Sequence, residues 1–299
     1  MNSSAASFPV WHITRGALAL ERPLVMGIIN VTPDSFSDGG SLPTPAAALA
    51  HCERLLCDGA DILDIGAEST RPGSCGISAE EELARLLPVL RSALRLGAPV
   101  SVDTSKPAVM RAALEAGADI INDVAALAAP GALEIIARHG RCGVCLMHGH
   151  AANAGQGAQQ APMPGGTDGA VQGVLEFFRA ALARVQQAGV EAQRLVIDPG
   201  LGFGKAAPQS LALLARQREL LAVGRPLLIG ASRKSFLAHA VQAAGSAAAP
   251  PPPAARVAAS VAAALLAAQR GAAVLRVHDV RETVQALAVL RAVYEIPAN

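Results

Sequence analysis

The sequence predicts an α/β protein in which eight parallel strands, each followed by a helix, close into a single (β/α)8 barrel. Three observations lead there. Short runs rich in Val, Ile and Leu recur along the chain and stay apolar from end to end, as strands of a fully buried parallel sheet do. Between successive runs lie alanine-rich amphipathic stretches, so the order reads strand, helix, strand, helix. There are eight such units, and 299 residues is an ordinary length for one barrel with extended loops.

Taken in order, residues 10–21 carry an Arg15-Gly16 turn, and the segment 1–22 reads as a β-hairpin plugging the barrel floor. The barrel strands follow as LVMGIIN (24–30), ILDIG (62–66), VSVD (100–103), IIN (120–122), GVCLMH (143–148), LVID (195–198), LLIG (227–230) and VLRV (274–277). Helical stretches occupy 45–57, 79–96, 107–116, 131–139, 171–188, 208–222, a proline-interrupted 236–268, and 280–293. Two segments differ from the rest: 151–169 is rich in Gly, Ala and Gln, and 243–255 contains a run of four prolines. Both read as mobile insertions within one domain spanning 1–299.

A formal net charge of +1 gives no electrostatic reason to expect nucleic acid or an acidic membrane as partner. Proline, glycine and charged residues interrupt every apolar run well short of a spanning helix, and the N-terminus lacks the pattern of a signal peptide. The expectation is a cytoplasmic protein. Five cysteines, an odd number, argue against a disulfide framework. Cys142 and Cys145 precede His148 and His150 at metal-like spacing, but residues three apart on a strand face opposite sides, so buried thiols are expected.

The reaction site of such a barrel lies at the carboxyl ends of its strands. Those ends carry Asn30, Glu68 to Arg71, Asp103, Asn122, Met147-His148, Asp198, Ser232 to Lys234, Arg276 and His278. A single Asp or Asn there could merely form a turn; a whole ring of polar ends is hard to assign to capping. Asp103, Asn122 and Asp198 suit the amino-amide edge of a flat heterocycle. Arg71, Lys234, Arg276 and His278 suit a phosphate or carboxylate. The Gly-rich 200–205 tract fits neither the Walker A nor the dinucleotide template, and reads as a close-packed loop presenting Phe203. Asp123 and Asp279 read as helix caps, and Arg233 as one half of a structural pair.

NVTPDSFSDGG (30–40), ESTRPG (68–73), SVDTSKP (101–107), IIND (120–123), IDPGLGFGK (197–205), SRKS (232–235) and RVHD (276–279) resemble, in order and over nearly the whole chain, the signatures of dihydropteroate synthases. These fold as TIM barrels, and the resemblance implies condensation of a dihydropterin pyrophosphate with p-aminobenzoate, in a homodimer using Mg²⁺. Asn30 matches the magnesium ligand; Asp103, Asn122, Asp198 and Lys234 match the pterin pocket, with Met147 against the ring. Arg276 and His278 match the diphosphate anchor. Phe36 lies in the first mobile loop and Thr70, Arg71 and Pro72 in the second, where such loops close over the site, and Ser232 matches the contact to the p-aminobenzoate carboxylate. After His148 the chain departs from the family pattern, with Gly149-His150-Ala151 in place of its Met-Gln-Gly continuation.

The implied reaction displaces pyrophosphate by an arylamine that is already unprotonated. The main requirement is stabilisation of departing negative charge, by Mg²⁺, Arg71, Lys234, Arg276 and His278. Two rival readings are a pterin-binding methyltransferase on the same barrel and a catalytically silent pterin-binding paralogue. The first leaves the ESTRPG loop and the Ser232–Lys234 cluster without a purpose. The second would be expected to lose Asn30, Arg71, Lys234 or Arg276, and all four are present.

Overall fold

The computed structural model describes residues 9–32, 44–69, 76–149 and 163–296. Its first elements, β1 (Val10–Ile13) and β2 (Gly16–Ala19), pair antiparallel from Val10↔Ala19 to Ile13↔Gly16. The eight barrel strands are β3 (Leu24–Asn30), β4 (Ile62–Gly66), β5 (Val100–Asp103), β6 (Ile120–Asp123), β7 (Gly143–Met147), β8 (Leu195–Asp198), β9 (Leu227–Ile229) and β10 (Ala272–Val277). Neighbours run parallel in sequence order, and β10 closes the ring against β3.

The helices are α1 (Pro45–Cys57), α2 (Ala79–Ala93), α3 (Pro107–Ala116), α4 (Ala132–His139), α5 (Gly166–Gln187), α6 (Ala207–Ala215), α7 (Gln217–Leu220), α8 (Ser235–Ala243), α9 (Val257–Gln269) and α10 (Val280–Tyr294). Local signals set their starts: the Thr44 hydroxyl accepts from Ala47 N ahead of Pro45, and the Ser78 hydroxyl accepts from Glu81 N. Where one helix was expected over 208–222, the chain breaks at Arg216 into α6 and α7. The break turns buried Gln217 inward to donate to Ala267 O at 3.0 Å. The proline run joins α8 to α9, and Arg256 holds it by donating to Pro251 O and Arg233 O, each at 2.7 Å.

Strand alternation sorts the core into two layers. Outward residues such as Val25, Leu63, Val102 and Ile197 pack under the helices. Inward residues Met26, Ile62, Ile120, Cys145, Val196, Leu228 and Val274 fill the lower barrel, where Trp11 and Ile13 of the hairpin join them. Trp11 is fully buried and donates through Nε1 to Arg194 O at 3.0 Å. Gly143 makes room for this plug: a Cβ there would stand 2.9–3.0 Å from Ile13, His12 O and Trp11 Nε1. The hairpin therefore closes the floor, as the sequence predicted. Cys142, just before β7, and Cys145 within it are both buried, one in each layer.

Candidate active site

Above the apolar floor the inward positions turn polar. Register carries one layer across four strands, from Asn30 to Gly66 to Asp103 to Asn122, and Met147 stands opposite Asp198 two strands further on. Gly230, just past β9, leaves the wall low there. A Cβ at that position would lie 3.7 Å from Asp198 Oδ2, 3.8 Å from Lys234 Nζ and 3.9 Å from Arg276 Cβ. A carboxylate, an ammonium and a guanidinium stem thus converge on one glycine at the barrel mouth.

Arg276 is held from two sides. Its Nε donates to Asp64 Oδ2 at 2.6 Å and its Nη2 to Asp103 Oδ2 at 2.7 Å. Burial works against the guanidinium charge, but Asp64 and Asp103 outweigh it and raise the Arg276 pKa above the ordinary arginine value. Burial also pushes Asp103 up to about 7, a rise opposed by Arg276 and reinforced by Asp64.

The β8 side is organised by a loop rich in left-handed glycines. Gly200, Gly202 and Gly204 have φ of +66, +79 and +56°. The Gly200 N–H donates to Asp198 Oδ1 at 2.8 Å, and burial raises the pKa of Asp198 against the opposing pull of Lys234. Buried Lys205 ties the loop together, donating to the carbonyls of His148, Gly200 and Phe203 at 3.0–3.1 Å, with His148 Nδ1 at 2.9 Å. The loop presents Phe203 beneath Lys234, whose Nζ lies 4.5 Å from the ring centroid and donates to Leu201 O at 2.6 Å. Burial lowers Lys234 to about 8 against Asp198, and Lys205 to about 7, again against Asp198.

Ser232 precedes α8 by three residues, and its hydroxyl accepts from His278 N at 3.2 Å and lies 3.0 Å from His278 Nδ1. Arg233 is half of a structural pair, as expected, and its partner is Asp279. Asp279 therefore spends its carboxylate on Arg233 instead of capping α10, and Asp123 caps a turn by accepting from Ala125 N and Leu127 N, well before α4 begins. Glu68 stays at the base of its loop, accepting from Ile77 N at 3.0 Å and from Lys106 Nζ at 2.7 Å. Phe36, Thr70, Arg71 and Pro72 lie outside the described residues. Asn30 stands partly exposed at the rim, and no group of three His, Cys, Asp or Glu that could hold a metal occurs among the described residues. A single amide oxygen fits Mg²⁺, which keeps several waters and takes substrate phosphates as ligands.

Two kinds of site residue escaped sequence reasoning. Asp64 is fully buried within β4, and a lone acid inside the apolar string ILDIG was its signal. Gly66 and Gly230 shape the pocket by lacking side chains, a role visible only once Asp103, Asp198 and Lys234 are seen beside them.

A family model described as pterin binding enzyme matches residues 26–278. The dihydropteroate synthase of Neisseria meningitidis serogroup B is 46% identical over 289 residues, 95% of this chain and 97% of that protein. Two solved structures share the fold. The Xanthomonas albilineans dihydropteroate synthase with 4-aminobenzoic acid has a TM-score of 0.82 at 47% identity, covering 94% of this chain and 96% of that one. The Burkholderia cenocepacia dihydropteroate synthase complexed with 7,8-dihydropteroate has a TM-score of 0.84 at 44% identity, covering 96% and 97%. With its closed barrel, its polar mouth and this likeness over nearly its whole length, the chain belongs to the dihydropteroate synthases among the pterin-binding enzymes.

Proposed function

We propose that the chain condenses a dihydropterin pyrophosphate with p-aminobenzoate, releasing pyrophosphate and dihydropteroate, with Mg²⁺ engaged through Asn30. The observation that carries the reading is the division of the mouth. Acceptors Asp103, Asn122 and Asp198 lie deep, while Lys234 and Arg276 bring positive charge to the same cavity. A flat pterin donates from its amino and ring N–H groups to the buried carboxylates, which accept through both oxygens when ionised. Met147, 4% exposed on the inner face of β7, supplies apolar contact to the ring.

The Arg276 guanidinium and His278 then face the diphosphate, and their charge and donors stabilise it as it departs. When bound, Mg²⁺ would neutralise part of that same departing charge. The likeness to dihydropteroate synthases gives Arg71 a part in this set and gives Phe36, Thr70 and Pro72 a part in receiving the aromatic amine, while Phe203 closes the pterin end. Ser232, held by His278, offers its hydroxyl to the p-aminobenzoate carboxylate. The decisive experiment measures pyrophosphate release with and without p-aminobenzoate and with and without Mg²⁺. Release that ignores the arylamine would refute the transferase reading, and release indifferent to Mg²⁺ would remove the metal.

The setting we propose is cytoplasmic, supported by the four described cysteines, all of them free thiols, as a reducing compartment keeps them. The assembly we propose is a homodimer through α6 and α9, which pack together. Two large apolar side chains are exposed there, Leu211 at 37% and Leu266 at 40%. A monomer by light scattering at micromolar concentration would exclude the dimer.

A further inference from the structure

Asp64 has no part in the substrate contacts proposed above, yet it touches two residues that do. Its Oδ2 accepts from Arg276 Nε on β10 at 2.6 Å and, at a longer 3.5 Å, from Asn122 Nδ2 on β6. These strands stand four places apart in an eight-strand ring, so Asp64 joins opposite walls of the barrel through its middle. It has no solvent exposure, whereas the Asp103 side chain is 12% exposed. The two carboxylates on Arg276 are thus unequal: one at the accessible edge, one beneath it.

That inequality has a mechanical meaning. A heterocycle that donates to Asp103 competes for the oxygen that Asp103 lends to Arg276 Nη2. Asp64 is out of reach of such competition and keeps its hold on Nε, which fixes the guanidinium plane. Its other oxygen, Oδ1, is buried and has no hydrogen-bond partner among the described residues, and Ser101 Oγ, one strand over in register, is in the same condition. Among the described residues Arg276 is the cation that pairs with Asp64, and the Asp64 charge is directed at it. We propose that Asp64 is a positioning residue for the transfer reaction. It holds the Arg276 guanidinium in the orientation that meets the substrate's diphosphate after the pterin ring has engaged Asp103.

This inference rests on the pterin and diphosphate reading of the site. Its test is calorimetry on the full chain with two ligands, the dihydropterin pyrophosphate and the same hydroxymethyl pterin without phosphates. Asp64→Asn keeps shape and an acceptor but removes the charge. It should weaken the pyrophosphate about ten-fold relative to the alcohol. Asp64→Glu keeps the charge but displaces it by one methylene and should show the same selective loss, which guards against a variant that fails to fold. Arg276→Lys retains a cation but has no planar fork for Asp64 to orient. Adding Asp64→Asn to it should cost less than two-fold more in selectivity, because the positioned group is already gone. A merely structural role predicts equal losses for both ligands in Asp64→Asn, and a role independent of Arg276 predicts that the losses multiply; either result overturns the proposal. A wild-type chain that binds neither pterin would instead sink the functional reading beneath it.

Discussion

Gly200→Ala is a sharp test of the site's scaffold, because steric and conformational costs there can be separated by a neighbour. Gly200 sits at φ +66°, and a Cβ would meet His148 O at 2.1 Å, where ordinary contact begins near 3.4 Å. The strand ends must part by about 1.3 Å, the difference between those distances, for the side chain to fit. Parting them breaks the Gly200 N–H bond to Asp198 Oδ1 and the Lys205 bond to His148 O. The left-handed backbone costs an alanine roughly 1–2 kcal/mol, and two lost bonds to charged groups about 1.5 kcal/mol each, so roughly 4–5 kcal/mol in all. Gly202 has nearly the same backbone, φ +79°, but its nearest atom is Lys234 Cδ at 3.4 Å. Gly202→Ala should therefore cost only the conformational part, roughly 1–2 kcal/mol. Urea unfolding of both variants, followed by pterin calorimetry, reads the contrast directly. Equal destabilisation of the two would refute the close approach of the β7 and β8 loops.

Three further outcomes are expected. Asp198→Asn should stay folded, since its amide oxygen still takes the Gly200 N–H, yet lose roughly a hundred-fold in pterin affinity, as a donor would then face a donor; retained affinity by calorimetry would make Asp198 a turn residue. The pH profile of kcat/KM should be a narrow bell: below about 7 Asp103 takes a proton, which turns one acceptor oxygen into a donor hydroxyl, and above about 8 Lys234 gives up its charge. Lys234→Arg should lift the alkaline limb, because arginine stays charged there. A limb that does not move would belong to a different group.

The barrel was legible because burial on both faces forces each strand to be apolar along its length. The predicted 24–30, 62–66, 100–103 and 195–198 match β3, β4, β5 and β8 residue for residue. The mouth was legible because polarity begins abruptly at strand ends. Asp64 was not, since a reading confined to those ends passes over an acid in mid-strand whose partner Arg276 lies 212 residues away. The break between α6 and α7 left no mark either. Its alanine- and leucine-rich sequence favours continuous helix, and the contact from Gln217 to Ala267 that ends it is tertiary. The Ser232–His278 contact is equally long-range, so the motifs held both residues without revealing that one orients the other.

The packed lower barrel, with the hairpin beneath it, leaves the mouth a blind pit, and a blind pit imposes a rule of traffic. With Trp11 sealed against Arg194 O below, everything enters and leaves past the same rim. Whatever occupies the deepest seats, beside Asn122 and Asp198, has to arrive before anything seated above it and depart after. Order of addition is then a property of plumbing more than of affinity. A second molecule lodged near the rim locks the first in place without touching it chemically, so a rim-bound analogue would act as a cork and slow the escape of the ligand below.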